Sequence, residues 1–256
     1  MTILHLDLDN TLIYSFRHPI GNDRICVESS QNRELSFLTR YTYEKLKQIN
    51  ERLFVVPTST RSIEQYQRIR LGIGSIPRAL VCNGGVLLVN GEKHIPWYQQ
   101  SLSLIQESLP TLQAAEYFLQ KDPRRTFELR FIEKLFLFTK CSQPDSVAEE
   151  LRKLVDPALV DVICNKEKLY VVPVNLSKGK AVERFRKHFR AARVIAAGDS
   201  QFDISMLREA DMGIVPQGFT EKYPLDFPVE EMPGKRTFSD EMSERIWELC
   251  QETDPL

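Results

Sequence analysis

The stretch ILHLDLDNTLI, residues 3–13, constrains the fold more than any other feature of this sequence. Its first residues are apolar almost throughout, which is typical of a strand buried on both faces of a parallel sheet. Two carboxylates, Asp7 and Asp9, and the hydroxyl of Thr11 follow at alternate positions. Burying such groups without partners is costly, so the pattern predicts a polar site at the carboxyl end of the first strand.

The alternation of apolar strands and helices continues after this stretch. A polar turn between two short strands predicts a β-hairpin within residues 23–38, and a helix follows it. A second buried strand runs into the polar loop PTSTR, and a third reads RALVCNGGVLLVNG, interrupted at residues 83–85. From Ser177 onward the pattern returns, with an apolar strand that ends in GDSQFD, residues 198–203. The Pro-rich and charged segment 217–236 predicts an irregular loop.

The middle of the chain has a different pattern. Between about Val86 and Val172, alternating strands and two helices, near Ser101–Gln120 and Ser146–Val155, predict an α+β module with an antiparallel sheet. The fold class is therefore α/β, with a Rossmann-like parallel-sheet core of residues 1–86 and 173–256. An α+β domain of residues 87–172 is inserted into this core.

Composition narrows the choice of partners. The formal net charge of −1 offers neither nucleic acid nor an anionic membrane the basic face that it would need. The five cysteines are odd in number and contain no CxxC pair, so we expect no disulfide framework and a reducing compartment, the cytoplasm. Acidic residues interrupt the first apolar run, and we expect neither a signal peptide nor a membrane helix. The oligomeric state cannot be read from the sequence.

In open α/β sheets, ligands bind outside the carboxyl ends of the strands. There the sequence places Asp7, Asp199 and Asp203, and buried carboxylates so close repel one another unless a cation is present. A hard divalent ion with oxygen ligands suits such a set, so Mg²⁺ is the expected cofactor.

Lys178 and several small hydroxyls complete a phosphate cradle, with Thr11, Ser59 and Thr60 as the candidate hydroxyls. A phosphate monoester carries a charge of about −2, and with the carboxylates of Asp7 and Asp199 the total is about −4. Mg²⁺ and Lys178 together contribute about +3, which offsets most of this negative charge. A metal, a lysine and a nucleophilic carboxylate together suit phosphoryl transfer through an aspartyl-phosphate.

This set resembles the haloacid dehalogenase superfamily of phosphatases, whose four motifs occur here in order. They are Asp-x-Asp-x-Thr at Asp7, Asp9 and Thr11, a strand-ending hydroxyl at Ser59, the lysine of SKGKA at Lys178, and Gly-Asp-x-x-x-Asp at Asp199 and Asp203. The insertion follows CNGG, where the branch with a type-2 α/β cap carries that cap. Cof-type, sucrose-phosphate and mannosyl-glycerate phosphatases belong to this branch.

The resemblance implies a role for each motif residue. Asp7 is the nucleophile and Asp9 the general acid and then base. Asp7, the Asp9 carbonyl and Asp199 hold Mg²⁺ with support from Asp203. Dehalogenases of the family lack an acid at the position of Asp9, which favours ester hydrolysis here.

Some assignments stay open. Thr58 replaces Ser59 as the second-motif hydroxyl if the strand ends one residue earlier. Arg61 is either a substrate contact or part of a local ion pair, and Asn83 and Arg130 are further candidate substrate contacts. Phe202 stands where many relatives carry Asn.

The expected function is a Mg²⁺-dependent phosphatase of a small phosphorylated metabolite, with a sugar phosphate as one candidate. The first alternative is a phosphomutase of the phosphomannomutase type, which the sequence PTSTR disfavours because those enzymes tend to read Gly-Gly-Ser there. The second is a phosphate-binding module without catalysis, but no motif residue is missing. The substrate itself cannot be read from the inserted domain.

Overall fold

The computed structural model describes residues 1–252. The chain divides into two compact units, the first combining Met1–Lys93 with the chain from Lys178 onward, and the second consisting of His94–Ser177. No helix within the described residues combines the length and apolar character needed to cross a membrane.

Five parallel strands form the central sheet of the first unit. They are β1 (Thr2–Leu6), β5 (Phe54–Pro57), β13 (Arg193–Ala197), β14 (Met212–Val215) and β15 (Glu230–Glu231). Their order is β15-β14-β13-β1-β5, so β1 is hydrogen-bonded to β13 on one side and to β5 on the other. In this register Leu6 lies opposite both Ala197 and Pro57. The three strands therefore end at the same edge of the sheet.

Helices cover both faces of this sheet. They are α1 (Arg40–Asn50), α2 (Ile63–Gln67), α6 (Lys178–Phe189), α7 (Ile204–Glu209), α8 (Phe219–Lys222) and α9 (Phe238–Glu252), with a short 3-10 helix over Gln201–Asp203. Ile195 of β13 packs in the cluster that contains Leu46 of α1 and Met242 of α9. Its neighbour Val194 packs in the opposite cluster, with Val182 of α6. Alternate residues of one strand thus serve two cores, which explains its continuous apolar sequence.

A small antiparallel sheet follows the first strand. Its strands β2 (Tyr14–Ser15), β3 (Arg24–Ser30) and β4 (Arg33–Thr39) pair in the order β2-β4-β3. The pair β3 and β4 is the hairpin that the sequence predicted, and we call it the flap hairpin. Its turn residues Gln31 and Asn32 have φ of 50° and 59°, the left-handed conformation of tight hairpin turns.

The third predicted strand is in fact a hairpin. Strands β6 (Arg78–Val81), β7 (Val86–Val89) and β8 (Glu92–Lys93) form an antiparallel sheet in that order. Between β6 and β7, positive φ angles at Cys82, Asn83 and Gly84 reverse the chain. Because β7 and β8 belong to the first unit, the second unit begins at His94, where the sequence predicted residue 87. It ends at Ser177, where the sequence predicted residue 172, since Val174 still hydrogen-bonds to Leu159.

The second unit is an α+β module. Strands β9 (Arg130–Ile132), β10 (Phe136–Lys140), β11 (Val160–Asn165) and β12 (Lys168–Pro173) form an antiparallel sheet in the order β11-β12-β10-β9. Its helices are α3 (Ile95–Leu104), α4 (Leu109–Lys121) and α5 (Pro144–Leu154), with a 3-10 helix over Gln106–Ser108. The single helix predicted near Ser101–Gln120 is thus two helices. Pro110 occupies the first turn of α4, where it lacks no helical hydrogen bond.

Candidate active site

The carboxyl ends of β1 and β13 bring three acidic side chains together. Because both strands end at the same edge of the sheet, Asp7 and Asp199 leave it side by side, and the amide of Asp7 donates to the carbonyl of Ala197 over 3.0 Å. The 3-10 helix that follows adds Asp203. One oxygen from each of Asp7, Asp199 and Asp203 lies within 4.8 Å of the other two.

Lys178 is the cation of this cluster. It begins α6, its side chain is 1% exposed, and its Nζ donates to Oδ1 of Asp7 over 2.5 Å and to Oδ1 of Asp203 over 2.6 Å. The other oxygen of Asp203 accepts hydrogen bonds from the backbone of Asp199 and from the backbone and hydroxyl of Ser200, over 2.8–3.1 Å. Both oxygens of Asp203 are therefore engaged, and its carboxylate fixes Lys178 and the GDSQFD loop.

The cluster carries more negative than positive charge. Burial raises the pKa of Asp7 well above its ordinary value, and repulsion from Asp203 and Asp199 adds to this against the attraction of Lys178. Burial, followed by repulsion from Asp203, also raises the pKa of Asp199, to about 7. For Lys178, burial opposes the charged form, but Asp203 and Asp7 outweigh it and raise the pKa of the ammonium group. A further cation would relieve this imbalance.

Two glycines permit this close arrangement. A Cβ at position 179 would lie 2.3 Å from the carbonyl oxygen of Ser205, whose hydroxyl accepts a hydrogen bond from the amide of Gly179. A Cβ at position 198 would lie 2.3 Å from Cβ of Asp203. The glycines of SKGKA and GDSQFD thus allow α6 and the acidic loop to approach closely enough for Lys178 to reach its carboxylates.

The chain turns sharply after the first carboxylate. Asn10 has φ of 62°, and its amide donates to the carbonyl of Ile13 over 2.8 Å. The amide of Ile13 in turn donates to the carbonyl of Leu8, also over 2.8 Å. Asp7 is buried, whereas the side chain of Asp9 is 52% exposed. The turn therefore separates the environments of two carboxylates that are only two residues apart.

Thr11 and Asp9, the other two residues of the Asp-x-Asp-x-Thr motif, each have a specific partner. The hydroxyl of Thr11 donates to Oδ1 of Asp199 over 3.0 Å, which ties the first motif to the fourth. Arg61 donates to both oxygens of Asp9, from Nε and Nη2, over 2.8 Å each. The sequence left open whether Arg61 contacts the substrate or forms a local ion pair, and in the structure it forms an ion pair with Asp9.

The end of β5 presents two neighbouring hydroxyls in different settings. The hydroxyl of Thr58 donates to the carbonyl of Val56 over 3.1 Å and lies 2.9 Å from Nδ1 of His5, so it belongs to the core. The hydroxyl of Ser59 instead accepts a hydrogen bond from the amide of Arg61 within the loop. This difference favours Ser59 as the second-motif hydroxyl.

The turn after β6 supports the same loop. The amide of Cys82 donates to the carbonyl of Arg61 over 2.8 Å, and that of Asn83 donates to the carbonyl of Ser59 over 3.0 Å. Asn83 is buried and Thr60 is half-buried. The left-handed turn at residues 82–84 therefore acts as a backbone clamp on the loop that carries Ser59.

The structure thus connects most of the predicted residues, all within the first unit. One hydrogen-bonded set contains Asp7, Thr11, Lys178, Asp199 and Asp203. A second contains Asp9, Ser59, Arg61 and Asn83. Arg130 lies in the second unit, where it pairs with Glu128.

Sequence reasoning missed four polar residues around these sets, namely Ser200, Ser205, Glu28 and Arg68. Ser200 and Ser205 lie within or beside the fourth motif, where their hydroxyls support Asp203 and Gly179. Glu28 of the flap hairpin forms ion pairs with Arg61, over 3.0 Å, and with Arg68. The only available signal for Glu28 was an acid within an apolar strand.

Comparison with known proteins gives one family match. Residues 97–215 match the family described as haloacid dehalogenase-like hydrolase, a range that takes in Lys178, Asp199 and Asp203. No curated protein matches the sequence.

Solved structures share the fold over nearly the whole chain. The sucrose-phosphatase of Synechocystis sp. PCC6803 is 13% identical, with a TM-score of 0.68 over 95% of this chain and 96% of that one. The subclass IIB sugar phosphatase BT4131 is 15% identical, with a TM-score of 0.60 over 97% and 99%. A putative HAD/COF-like hydrolase from Plasmodium vivax is 15% identical, with a TM-score of 0.59 over 96% and 95%. Residues 97–215 are thus similar in sequence to the haloacid dehalogenase-like hydrolases, and the chain as a whole shares its fold with solved phosphatases.

Proposed function

We propose that this protein is a Mg²⁺-dependent phosphatase that hydrolyses a small phosphorylated metabolite through an aspartyl-phosphate. The observation that carries the proposal is the position of Lys178, buried between Asp7 and Asp203 and beside Asp199. A carboxylate held beside a buried lysine at a sheet edge supplies a nucleophile, and the lysine supplies a positive charge for the transferring phosphoryl group in the same place.

In this proposal Asp7 attacks phosphorus, and the bond from phosphorus to the ester oxygen breaks. Asp9 gives a proton to the leaving oxygen and then takes one from the water that hydrolyses the aspartyl-phosphate, returning Asp7 and releasing phosphate. Lys178, Ser59, Thr60 and Thr11 bind or orient the phosphoryl oxygens. The separate environments of Asp7 and Asp9 support two different roles, since Asp7 is buried beside Lys178 whereas Asp9 is half-exposed beside Arg61.

The carboxylates also fit a divalent cation. Oxygen ligands within 4.8 Å of one another are the donor set that Mg²⁺ prefers. Asp7 and Asp199 would provide side-chain ligands and Asp9 its carbonyl, while Asp203, engaged through both oxygens, would hold the loop in place. When bound, Mg²⁺ would neutralise phosphate charge and polarise the phosphoryl group.

The proposed substrate is a sugar phosphate, with the second unit as a substrate-selecting cap. Two proteins of the same fold are described as a sucrose-phosphatase and a sugar phosphatase. The proposed catalytic residues all lie in the first unit, which leaves the second unit for selection. Arg130, on its edge strand β9, is the candidate contact there.

The proposed location is the cytoplasm. All five cysteines are free in the structure, and three of them are buried, which suits a reducing compartment.

A phosphate-release screen tests the proposed function. Purified protein with Mg²⁺ is offered aryl phosphates and a set of phosphorylated metabolites, and Asp7→Asn is assayed beside it. We expect release by the wild type and none by the variant, because an amide is a poor nucleophile. Unchanged turnover by a folded Asp7→Asn protein would refute the covalent route. Product analysis also separates a phosphatase, which frees phosphate, from a phosphomutase, which yields an isomeric sugar phosphate.

A further inference from the structure

Glu28 is a buried carboxylate at the centre of an ion-pair network. Only 3% of the residue is exposed, and its Oε1 accepts hydrogen bonds from Nε and Nη2 of Arg68 over 3.1 and 3.0 Å. Its Oε2 accepts one from the hydroxyl of Ser36 over 2.6 Å and lies 3.0 Å from Nη1 of Arg61. Both oxygens are therefore engaged, by three different side chains.

The backbone of the flap hairpin aims this side chain inward. The register between β3 and β4 shifts on both sides of Glu28, and Val27 and Glu28 are both buried although they are neighbours in a strand. Such a bulge redirects one side chain against the normal alternation. An isolated bridge between Glu28 and Ile69 joins the bulge to the segment that carries Arg68. The hairpin is thus built to deliver one carboxylate to the two arginines.

Arg61 is the residue that two carboxylates share. Its Nε and Nη2 face Asp9, its Nη1 faces Glu28, and its side chain is only 13% exposed. A planar guanidinium has a fixed fork of donors, so fixing one edge fixes the direction of the other. The orientation of the Asp9 carboxylate therefore depends on the contact between Arg61 and Glu28.

The surrounding charges keep Glu28 in its anionic form, in which it pairs with the two arginines. Burial alone would raise the pKa of Glu28, but the hydrogen bond from Ser36 and the interactions with Arg61 and Arg68 outweigh it and lower that pKa. Glu28 is thus anionic at neutral pH. Asp9, Arg61, Glu28 and Arg68 form a chain of alternating charge with no net charge, in which Glu28 is the most buried member.

We propose that Glu28 is a positioning residue, which holds Arg61 so that Arg61 in turn holds the Asp9 carboxylate in place for proton transfer to the leaving group. The inference rests on the proposed function, because Asp9 has a proton to transfer only if an ester is hydrolysed. Residues that hold a catalytic group in place matter because small displacements of that group lower the reaction rate strongly.

If Glu28 positions Asp9 in this way, the loss of kcat/KM in a Glu28 variant should depend on the leaving group of the ester. Phenyl phosphate and 4-nitrophenyl phosphate have nearly the same shape, but nitrophenolate leaves readily without a proton. The ratio kcat/KM reports the steps up to release of the alcohol, which include the proton transfer from Asp9. A Glu28→Gln variant keeps the size of the side chain but removes the charge that orients Arg61. A defect confined to positioning Asp9 should therefore appear mainly with phenyl phosphate.

The experiment compares kcat/KM of Glu28→Gln with that of the wild type on both esters. We expect about a tenfold loss on phenyl phosphate and less than about a twofold loss on 4-nitrophenyl phosphate, a modest part of the 10²–10⁴ that acid catalysis supplies. Glu34→Gln, an exposed acid of the same hairpin, is the matched control and should match the wild type on both. Equal losses on the two esters, or none, would overturn the inference while the proposed function stands.

Two further measurements keep the test decisive. A crystal structure of Glu28→Gln should show Arg61 displaced from Asp9, and an unchanged pair at 2.8 Å would also overturn the inference. If Glu28→Gln does not fold, Glu28→Asp keeps the charge but shortens the side chain, and it should show a smaller loss with the same selectivity. A wild-type protein that hydrolyses no phosphate ester would refute the proposed function, and the inference would fall with it.

Discussion

Lys178 donates a 2.5 Å hydrogen bond to Asp7, a residue 171 positions away in the sequence. The two side chains meet because β1 ends where α6 begins, and Gly179 allows α6 to pack against Ser205. The pair is buried on both sides, with side chains 1% and 8% exposed. At this depth the ammonium group serves the fold as well as the chemistry, because each charge would be costly alone.

Replacing Lys178 by Met should therefore cost both stability and activity. Removal of one partner leaves two buried carboxylates uncompensated, and the expected loss in the free energy of unfolding is about 3–5 kcal/mol. The matched control is Lys180→Met, because Lys180 is 55% exposed and pairs with Glu183 at the surface over 3.3 Å. That variant should stay within about 0.5 kcal/mol of the wild type. Urea unfolding and phosphate release measure both, and equal effects of the two variants would contradict the assignment.

Substitutions of Thr58 and Ser59 should have different effects, the first on stability and the second on activity. Thr58→Val removes a hydroxyl that bonds within the core, so we expect a loss of about 1 kcal/mol in the free energy of unfolding and activity within about twofold of wild type. Ser59→Ala removes the proposed phosphate contact, so we expect kcat/KM to fall by about tenfold or more. Kinetics and thermal unfolding of both variants test this. The reverse pattern would make Thr58 the second-motif hydroxyl.

Metal binding should stabilise the protein through Asp199. Mg²⁺ that binds only the folded state raises the midpoint of thermal unfolding in a concentration-dependent way. Asp199→Asn removes a proposed ligand of the ion, so the unfolding midpoint of this variant should hardly respond to Mg²⁺. Asp226→Asn, which breaks a surface pair with Arg208, is the control and should respond like the wild type. A full response by Asp199→Asn would argue against this ligand set.

The sequence predicted those parts of the fold that depend on local pattern. Continuous apolar strands and their polar ends predicted the central sheet, and the turn in residues 23–38 predicted the flap hairpin. The β6–β7 hairpin was missed because apolar runs flank CNGG on both sides, and a reversal there depends on left-handed backbone at Cys82 and Asn83. The two-residue strand β15 was missed because only its pairing with β14 makes it a strand.

The candidate site divides in the same way. Asp7, Lys178, Asp199 and Asp203 occur in recognisable motifs, so their meeting at one sheet edge could be anticipated. Glu28 could not, because a bulge changes which face of the strand it occupies, and period-two alternation then assigns it wrongly. Its partners Arg61 and Arg68 lie 33 and 40 residues away, and ion pairs at such separations are set by tertiary structure alone.

The last prediction concerns pH and the second unit. Asp122 is buried and accepts three hydrogen bonds from Arg124, whose backbone amide, Nε and Nη2 donate over 2.6–2.9 Å. The hydrogen bond with the Arg124 side chain lowers the pKa of Asp122 from its ordinary 3.8, and the effect exceeds the opposing effect of burial. As pH falls through 3.8, the unfolded chain therefore takes up a proton before the folded one does, and the stability from this carboxylate is lost. Asp122→Asn should be clearly less stable than the wild type in urea unfolding at pH 7, and the difference should shrink towards pH 3. Glu149→Gln, an exposed acid of the same unit, should show no such convergence. A gap between Asp122→Asn and wild type that stays constant from pH 7 to pH 3 would mean that shape at this site, and not charge, holds the loop before β9.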